Sequence, residues 1–428
     1  MFGLLGNLLT LKEDSLSLHR ILKGKIEISS RISADNIFET EGERGKGTLS
    51  SIYTPGVAYV SEEIRDHKDL VYEYTSKWNN IAIVCDGTRV LGLGNVGPES
   101  ALPVMEGKSV LFKTLANVNA FPLCISITDK EDIIRFVRSI EPSFGAINIE
   151  DIESPKVLEI VEALQNELTI PVFHDDRHGT AVITLAALIN SLRLLNKKTK
   201  NVRIVIAGAG SAGYGIFRIL LRMGFKSIIV VDKQGAIYEG REPDIEGSDS
   251  HNQRNRDNLS PSNNQINPFK KEIALNSNKQ KIKGDIVTAI EGADVFIGTS
   301  GKGGLLNSKM IKSMNKDPII FALSNPDPEI LPAQAINAGA AIVATGRSDF
   351  PNQINNAVVF PAIFRALLDL RIRNLSEDIL IAVSKSIADL VDIKHLSKTY
   401  IVPKINDPRI LPVVTKSVKE YIIKRHDK

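Results

Sequence analysis

Eight short apolar runs, each stopping at glycine or at polar side chains, constrain this chain of 428 residues more than any other feature. They are IAIVCDG (81–87), FGAINIED (144–151), IPVFHDD (170–176), VRIVIAGAG (202–210), IIVVDKQG (228–235), DVFIGTSG (294–301), IIFALSNP (319–326) and AAIVATGRSD (340–349). Val/Ile runs without polar alternation fit strands buried on both faces, as in a parallel sheet. Helical patterns lie between them, such as TAVITLAALINSLRLLNKK (180–198) and GIFRILLRMG (215–224). Strand alternating with helix predicts an α/β fold, and such sheets bind ligands beyond the carboxyl ends of their strands. Chemistry is therefore expected at the polar terminations.

Two GxGxxG patterns occur. Gly208, Gly210 and Gly213, with Ser211 and Ala212 between them, follow the run VRIVIA and open a helical pattern. The next run ends at Asp232, followed by Lys233, which is the context of a Rossmann-type dinucleotide turn. There the glycines admit a pyrophosphate to the backbone, and the helix N-terminus stabilises its charge. Gly92, Gly94 and Gly97 have the same spacing, but Pro98 follows and no acidic strand end lies at the right distance, so a tight turn is expected. Thr299 and Ser300 close a later run and are also expected beside the cofactor. Residues 241–283 are rich in Asn, Ser and charge and read as a polar surface excursion; His251 within it is given no role.

The net charge of +3 gives no reason to expect nucleic acid or another polyanion as partner. Two cysteines, Cys85 and Cys124, are too few for a metal cluster and fit a reducing compartment. The N-terminal MFGLLGNLLTL lacks a basic start and is too short to span a bilayer, so it is expected to be a packing helix or arm. A cytoplasmic protein without membrane contact is expected.

The stretch PVFHDDRHGT (171–180) concentrates titratable groups behind a buried run. His174 and His178 stand four apart, as zinc-protease histidines do, but that pattern works only on a helix. Pro171 before and Gly179 after make 174–178 read as a loop. The adjacent carboxylates Glu150–Asp151 and Asp175–Asp176 would repel one another in a cleft unless a cation sat between them. A hard divalent ion, Mg²⁺ or Mn²⁺, suits oxygen ligands; a helix cap explains one carboxylate but not two pairs. Arg89 offers a planar fork for a carboxylate, or is a surface arginine. Asn325, Asn355 and Asn356 suit a second carboxylate or a ketone, or serve turns. Lys108 and Tyr53 are candidate proton carriers.

Taken in order, IYTPGVA, VLGLGNVG, PVMEGKSVLFK, FGAINIEDI, PVFHDDRHGT, GAGSAG, SNPDPE and GRSDFPNQINN resemble the malic enzymes, in particular their short bacterial and archaeal form. The resemblance covers roughly residues 15 to 410. It implies oxidation of (S)-malate with NAD⁺ or NADP⁺, decarboxylation to pyruvate and CO₂, and decarboxylation of oxaloacetate. It implies Glu150, Asp151 and Asp176 as ligands to Mg²⁺ or Mn²⁺, Lys108 as a neutral base, Tyr53 as the acid and Asp175 beside the lysine. Arg89, Asn325 and an Asn of the 355–356 pair would hold malate. The expected architecture is an N-terminal α/β substrate domain (1–162), then a Rossmann-type doubly wound parallel-sheet NAD(P)-binding domain (163–395), then a C-terminal tail (396–428), assembled as a homodimer or larger homo-oligomer. Three other readings compete: a metal-dependent oxaloacetate decarboxylase, a nucleotide sensor, and a malate-to-lactate enzyme that retains its cofactor.

Overall fold

A computed structural model describes residues 2–32, 48–241 and 267–426. Two sheets organise it. The first is all-parallel, in the order β2-β1-β3-β4, with β1 Asn80–Cys85, β2 Asn119–Cys124, β3 Ala146–Glu150 and β4 Val172–His174. The second runs β10-β9-β8-β5-β6-β7, with β5 Arg203–Ala207, β6 Ser227–Asp232, β7 Gly235–Ala236, β8 Val295–Gly298, β9 Ile319–Ala322 and β10 Ile342–Thr345. Among the described strands of the two sheets, only the β6–β7 pair is antiparallel. All eight apolar runs contain strands, and in β1, β3, β8, β9 and β10 every residue is buried. The missed strand β2 is half-buried, carries Pro122 and occupies a sheet edge, where a residue without an N–H is tolerated.

Amphipathic helices cover the sheets. In Lys130–Ile140 the buried residues Ile133, Ile134 and Val137 share one face, and Asp129 caps the helix by accepting from Asp132 N at 3.0 Å. The helix Thr180–Leu194 is buried on nearly all sides because it is sandwiched by the helices Ser211–Arg222 and Glu377–Asp389. Asn190 within it donates to Ala388 O (2.8 Å) and Ile401 O (2.9 Å), fastening the C-terminal segment. The last helix, Ile410–His426, packs on Phe360–Asp369 and Glu377–Asp389.

Two expectations change. The 162/163 boundary falls inside the helix Lys156–Glu167, and β4 beyond it hydrogen-bonds to β3, so the first sheet continues to His174. The polar excursion is shorter than read. Its middle, 242–266 with His251, lies outside the described residues, but Pro268–Asn276 is a helix that buries Phe269 and Ile273. The N-terminal segment is a helix over Phe2–Leu22, and past the apolar stretch Leu16, Leu18 and Ile21 are exposed.

Aromatic packing sets the base of the cleft. Phe112 meets Phe360 (4.7 Å between centroids) and Phe364 (5.1 Å), and Phe364 meets Phe173 of β4 (5.2 Å). Each such pair contributes about 0.5–1.5 kcal/mol beyond area burial. Together they tie the helix Pro98–Ala116 to β4, and these two elements carry Lys108 and lead into Asp175.

Candidate active site

β3 ends on Glu150, with Asp151 next, and β4 runs into a single wide π-type turn, Asp175–Gly179, that passes directly into the helix Thr180–Leu194. The expected loop at 174–178 is therefore this turn, a form often found at functional sites. Gly179 permits it, since a Cβ there would lie 2.2 Å from Asp175 Oδ1. The histidines brace the turn: His174 N donates to His178 Nδ1 at 3.1 Å, and His178 packs on Phe173. Burial lowers both, His174 to about 4, so both rings stay neutral near pH 7.

Lys108 enters the cluster from the helix Pro98–Ala116. Its Nζ lies 2.7 Å from Asp175 Oδ2, 2.9 Å from Glu150 Oε1 and 5.2 Å from the Phe360 ring centre. Asn148 donates to the same Glu150 oxygen at 2.7 Å. Glu150 Oε2, Asp151 Oδ2 and Asp175 Oδ1 are left buried without a hydrogen-bond partner. Burial, reinforced by neighbouring carboxylates, raises Asp151 to about 7 and Glu150 well above the carboxylate range. Burial also raises Asp175, to about 6, with Lys108 opposing it. Burial works against the Lys108 ammonium, but Asp175, Glu150 and Asp176 outweigh it and hold the group well above the ordinary lysine value. The neutral lysine expected from the sequence is thus not what this cluster produces alone.

Orphaned buried carboxylate oxygens are what a hard divalent cation satisfies, and an all-oxygen donor set suits Mg²⁺ or Mn²⁺. Among the described residues no three His, Cys, Asp or Glu side chains already stand together as a metal shell. The chain by itself supplies a partial shell, which matches an ion that keeps several waters and shares its ligands with substrate.

The turn after β1 forms the facing wall. Asp151 has φ +47°, costing about 1–2 kcal/mol, and its carbonyl accepts from Arg89 N at 3.0 Å. The Gly92–Gly97 pattern is the tight turn anticipated: Val90 N donates to Gly94 O at 2.9 Å, and Gly94 and Gly97 have φ of +77° and +80°. A Cβ on Gly301 would lie 3.2 Å from an Arg89 guanidinium nitrogen, one on Gly92 would lie 2.9 Å from Asn325 O, and one on Gly346 would lie 2.7 Å from Asn325 Nδ2. Strand ends of both sheets thus close round one cleft that holds Arg89 and Asn325. Asn355 caps the short helix Asn356–Val358 by accepting from Ala357 N at 2.9 Å. Asn356 abuts Gly179, beside Asp175. Tyr53 does not join them: it follows the short helix Thr48–Ile52, is 67% exposed, and no hydrogen bond among the described residues links its hydroxyl to the cluster.

The dinucleotide turn lies where the strand order of the second sheet reverses, between β5 and β8. Gly208 has φ +115°, and a Cβ on it would lie 2.6 Å from Thr299 O; one on Gly213 would lie 1.9 Å from Gly208 O. Around Gly210, by contrast, the space is open, and the helix Ser211–Arg222 begins there. Gly213→Ala is expected to cost about 1–3 kcal/mol of stability through overpacking and to abolish dinucleotide binding. A melting curve and a cofactor titration check this; unchanged affinity would remove the turn from the cofactor site.

Two contributors escaped the sequence reading. Glu329, fully buried, accepts from Ser300 N (3.2 Å), Ser300 Oγ (3.1 Å), Ser324 N (3.2 Å) and Ser324 Oγ, locking the loops after β8 and β9. Its position inside SNPDPE, just before the apolar Ile-Leu-Pro, was the available signal. Gly215, two past the motif, lets the cofactor helix touch the π turn: a Cβ there would lie 2.3 Å from Arg177 O.

A dinucleotide turn opening on a buried lysine–carboxylate cluster defines a nicotinamide-dependent oxidoreductase for a small carboxylate substrate. The comparisons agree. Residues 36–134 match the malic enzyme N-terminal domain and residues 178–423 the malic enzyme NAD binding domain. A bifunctional malic/malolactic enzyme of Bacillus subtilis is 44% identical over 96% of this chain and 92% of its own length. The NAD-dependent malic enzyme of Geobacillus stearothermophilus is 43% identical over 93% of this chain and 76% of its own. The solved NAD-dependent malic enzyme of Thermotoga maritima superposes with a TM-score of 0.83 at 42% identity, covering 94% of this chain and 98% of its own. This chain belongs to the malic enzyme family.

Proposed function

We propose that the chain oxidises (S)-malate with a nicotinamide cofactor and decarboxylates the product to pyruvate and CO₂ at the Lys108 cluster, with Mg²⁺ or Mn²⁺ held by Glu150, Asp151 and Asp176. The observation that carries this is Lys108 clamped between Glu150 and Asp175, among buried carboxylate oxygens that lack donors. When bound, the cation would supply Lewis-acid charge to the 2-hydroxyl and to the enolate left by CO₂. Arg89 takes a malate carboxylate by its planar fork, and Asn325 and Asn356 orient the remaining oxygens. Lys108 accepts the 2-hydroxyl proton as hydride leaves C2. To do so it must first lose its own proton, and each carboxylate committed to a cation is one fewer holding the ammonium. Asp175 fixes the lysine in place. Tyr53 is proposed to protonate C3, a role that rests on the resemblance and that the exposed side chain would perform only after a rearrangement or with a second subunit. Work as a homodimer or larger homo-oligomer in the cytoplasm completes the proposal. The exposed Leu16, Leu18 and Ile21 and the two free cysteines support it. Among the described residues no helix is long and apolar enough to cross a membrane.

Cofactor reduction with malate and Mn²⁺, combined with identification of the carbon product, tests the whole. Pyruvate with net reduction supports it. Lactate with no net reduction would favour the malolactic reading, which the Bacillus relative's name brings forward. No turnover of either kind would refute both.

The raised carboxylates also fix a sign. Folded Asp151 and Asp175 bind more protons than their unfolded counterparts between about pH 4 and pH 7, so their contribution to stability falls as pH rises through that window. The lowered His174 acts oppositely, which obscures the total. A cation displaces only the carboxylate protons. The gain in Tm on adding Mn²⁺ should therefore grow from pH 4 to pH 7. A gain independent of pH would mean the ion binds elsewhere.

A further inference from the structure

β6 ends at Asp232 directly beside the dinucleotide turn, for Gly208 N donates to Val231 O at 2.8 Å. An acidic residue at this point serves NAD⁺ by accepting hydrogen bonds from the adenosine ribose hydroxyls, so it needs free lone pairs. Here they are taken. Oδ1 accepts from Gln234 N (3.0 Å) and one Arg241 nitrogen (2.9 Å); Oδ2 accepts from the other Arg241 nitrogen (2.7 Å) and lies 2.9 Å from Lys270 Nζ. A carboxylate has about four acceptor sites, and four donors fill them. Burial alone would raise this carboxyl, but Arg241 and Lys270 hold it below its ordinary value, so it stays ionised within the clamp. The ribose diol expected on Asp232 therefore meets no free acceptor.

We infer that Arg241 and Lys270 make this corner a seat for a ribose 2′-phosphate, and that these two residues select NADP⁺ over NAD⁺. The inference deepens the cofactor side of the proposed function and rests on it. A guanidinium fork and an ammonium are the groups that bind phosphate best, one bidentately and one as a point charge. Both converge on Asp232. A 2′-phosphate would draw on both cations, whereas a bare ribose would have to compete with them for the carboxylate. Arg241 and Lys270 lie on opposite sides of 242–266 in the chain, yet both meet Asp232 at this corner.

The test uses the whole protein, titrated calorimetrically with 2′,5′-ADP and with 5′-AMP, which differ only in the 2′-phosphate. 2′,5′-ADP should bind at least about tenfold more tightly. Arg241→Gln and Lys270→Gln should each erase about 10- to 100-fold of that preference, the scale of one charged hydrogen bond. In turnover, the ratio of kcat/KM for NADP⁺ to that for NAD⁺ should fall in step. Asp232→Ala, which releases both cations, should tighten 2′,5′-ADP. Equal binding of the two nucleotides by the unaltered protein would overturn the inference, as would variants that weaken both alike or a loss of 5′-AMP affinity alone in Asp232→Ala. Because the titration contains no malate, failure of malate turnover would leave its result untouched, and the two readings fail separately.

Discussion

Replacing Lys108 by alanine is expected to slow malate oxidation by about 10²- to 10⁴-fold, the usual loss when a general base is removed. The ammonium lies within 3 Å of Glu150 and Asp175, so its removal also deprives two buried carboxylates of their counter-charge. Leaving a buried charge unpaired is costly, and for that reason stability must be measured with activity. Lys108→Met, which keeps most of the stem against Phe360, separates the effects: a folded but inactive Met variant places the loss in proton transfer. The pH profile gives a second readout. Hydride transfer that needs a deprotonated lysine should rise with pH and flatten once the metal-loaded cluster has released the proton. Activity within a few-fold of the unaltered enzyme in a folded Lys108→Ala would eliminate the lysine as base.

Removing the cation is expected to be as damaging. Chelation should abolish turnover. Asp176→Asn should raise the metal concentration for half-maximal activity by more than the roughly 10–100-fold typical of residues that only support ligands. Asparagine keeps the shape of aspartate but not its charge, and Asp176 is only partly buried, so the fold should survive. Metal titrations followed by Mn²⁺ binding as well as by rate decide the matter. An unchanged half-saturation would take Asp176 out of the ligand set and leave Glu150 and Asp151, whose outer oxygens lack donors, as the anchoring pair.

The sequence by itself determined which segments become strands and where chemistry collects. A run such as IAIVC can only be buried on both faces, and its polar successor can only lie at the strand's end; both facts are local, carried by side-chain type and period. The dinucleotide turn was legible for the same reason, since Gly208 and Gly213 answer to contacts made within or beside one turn. Edge strand β2 was harder to read because half-burial and Pro122 dilute the apolar signal.

What the tertiary structure alone decided is pairing over distance. Lys108 and Asp175 are 67 residues apart; neither segment alone states that they meet, only the family resemblance implied it, and the fold brings them to 2.7 Å. Glu329 looks like a turn residue until Ser300 and Ser324 are found bonded to it. Asp232 looks like a ribose acceptor until Arg241 and Lys270 fill its lone pairs. Tyr53 reads as a proton carrier, and only the fold shows that it stands exposed, outside the Lys108 cluster. Local pattern reports whether a side chain is buried, because burial follows the period of the element that carries it. Which partner meets it there depends on how the strands are ordered in the two sheets and how closely their glycines let the loops approach, and those are properties of the assembled fold.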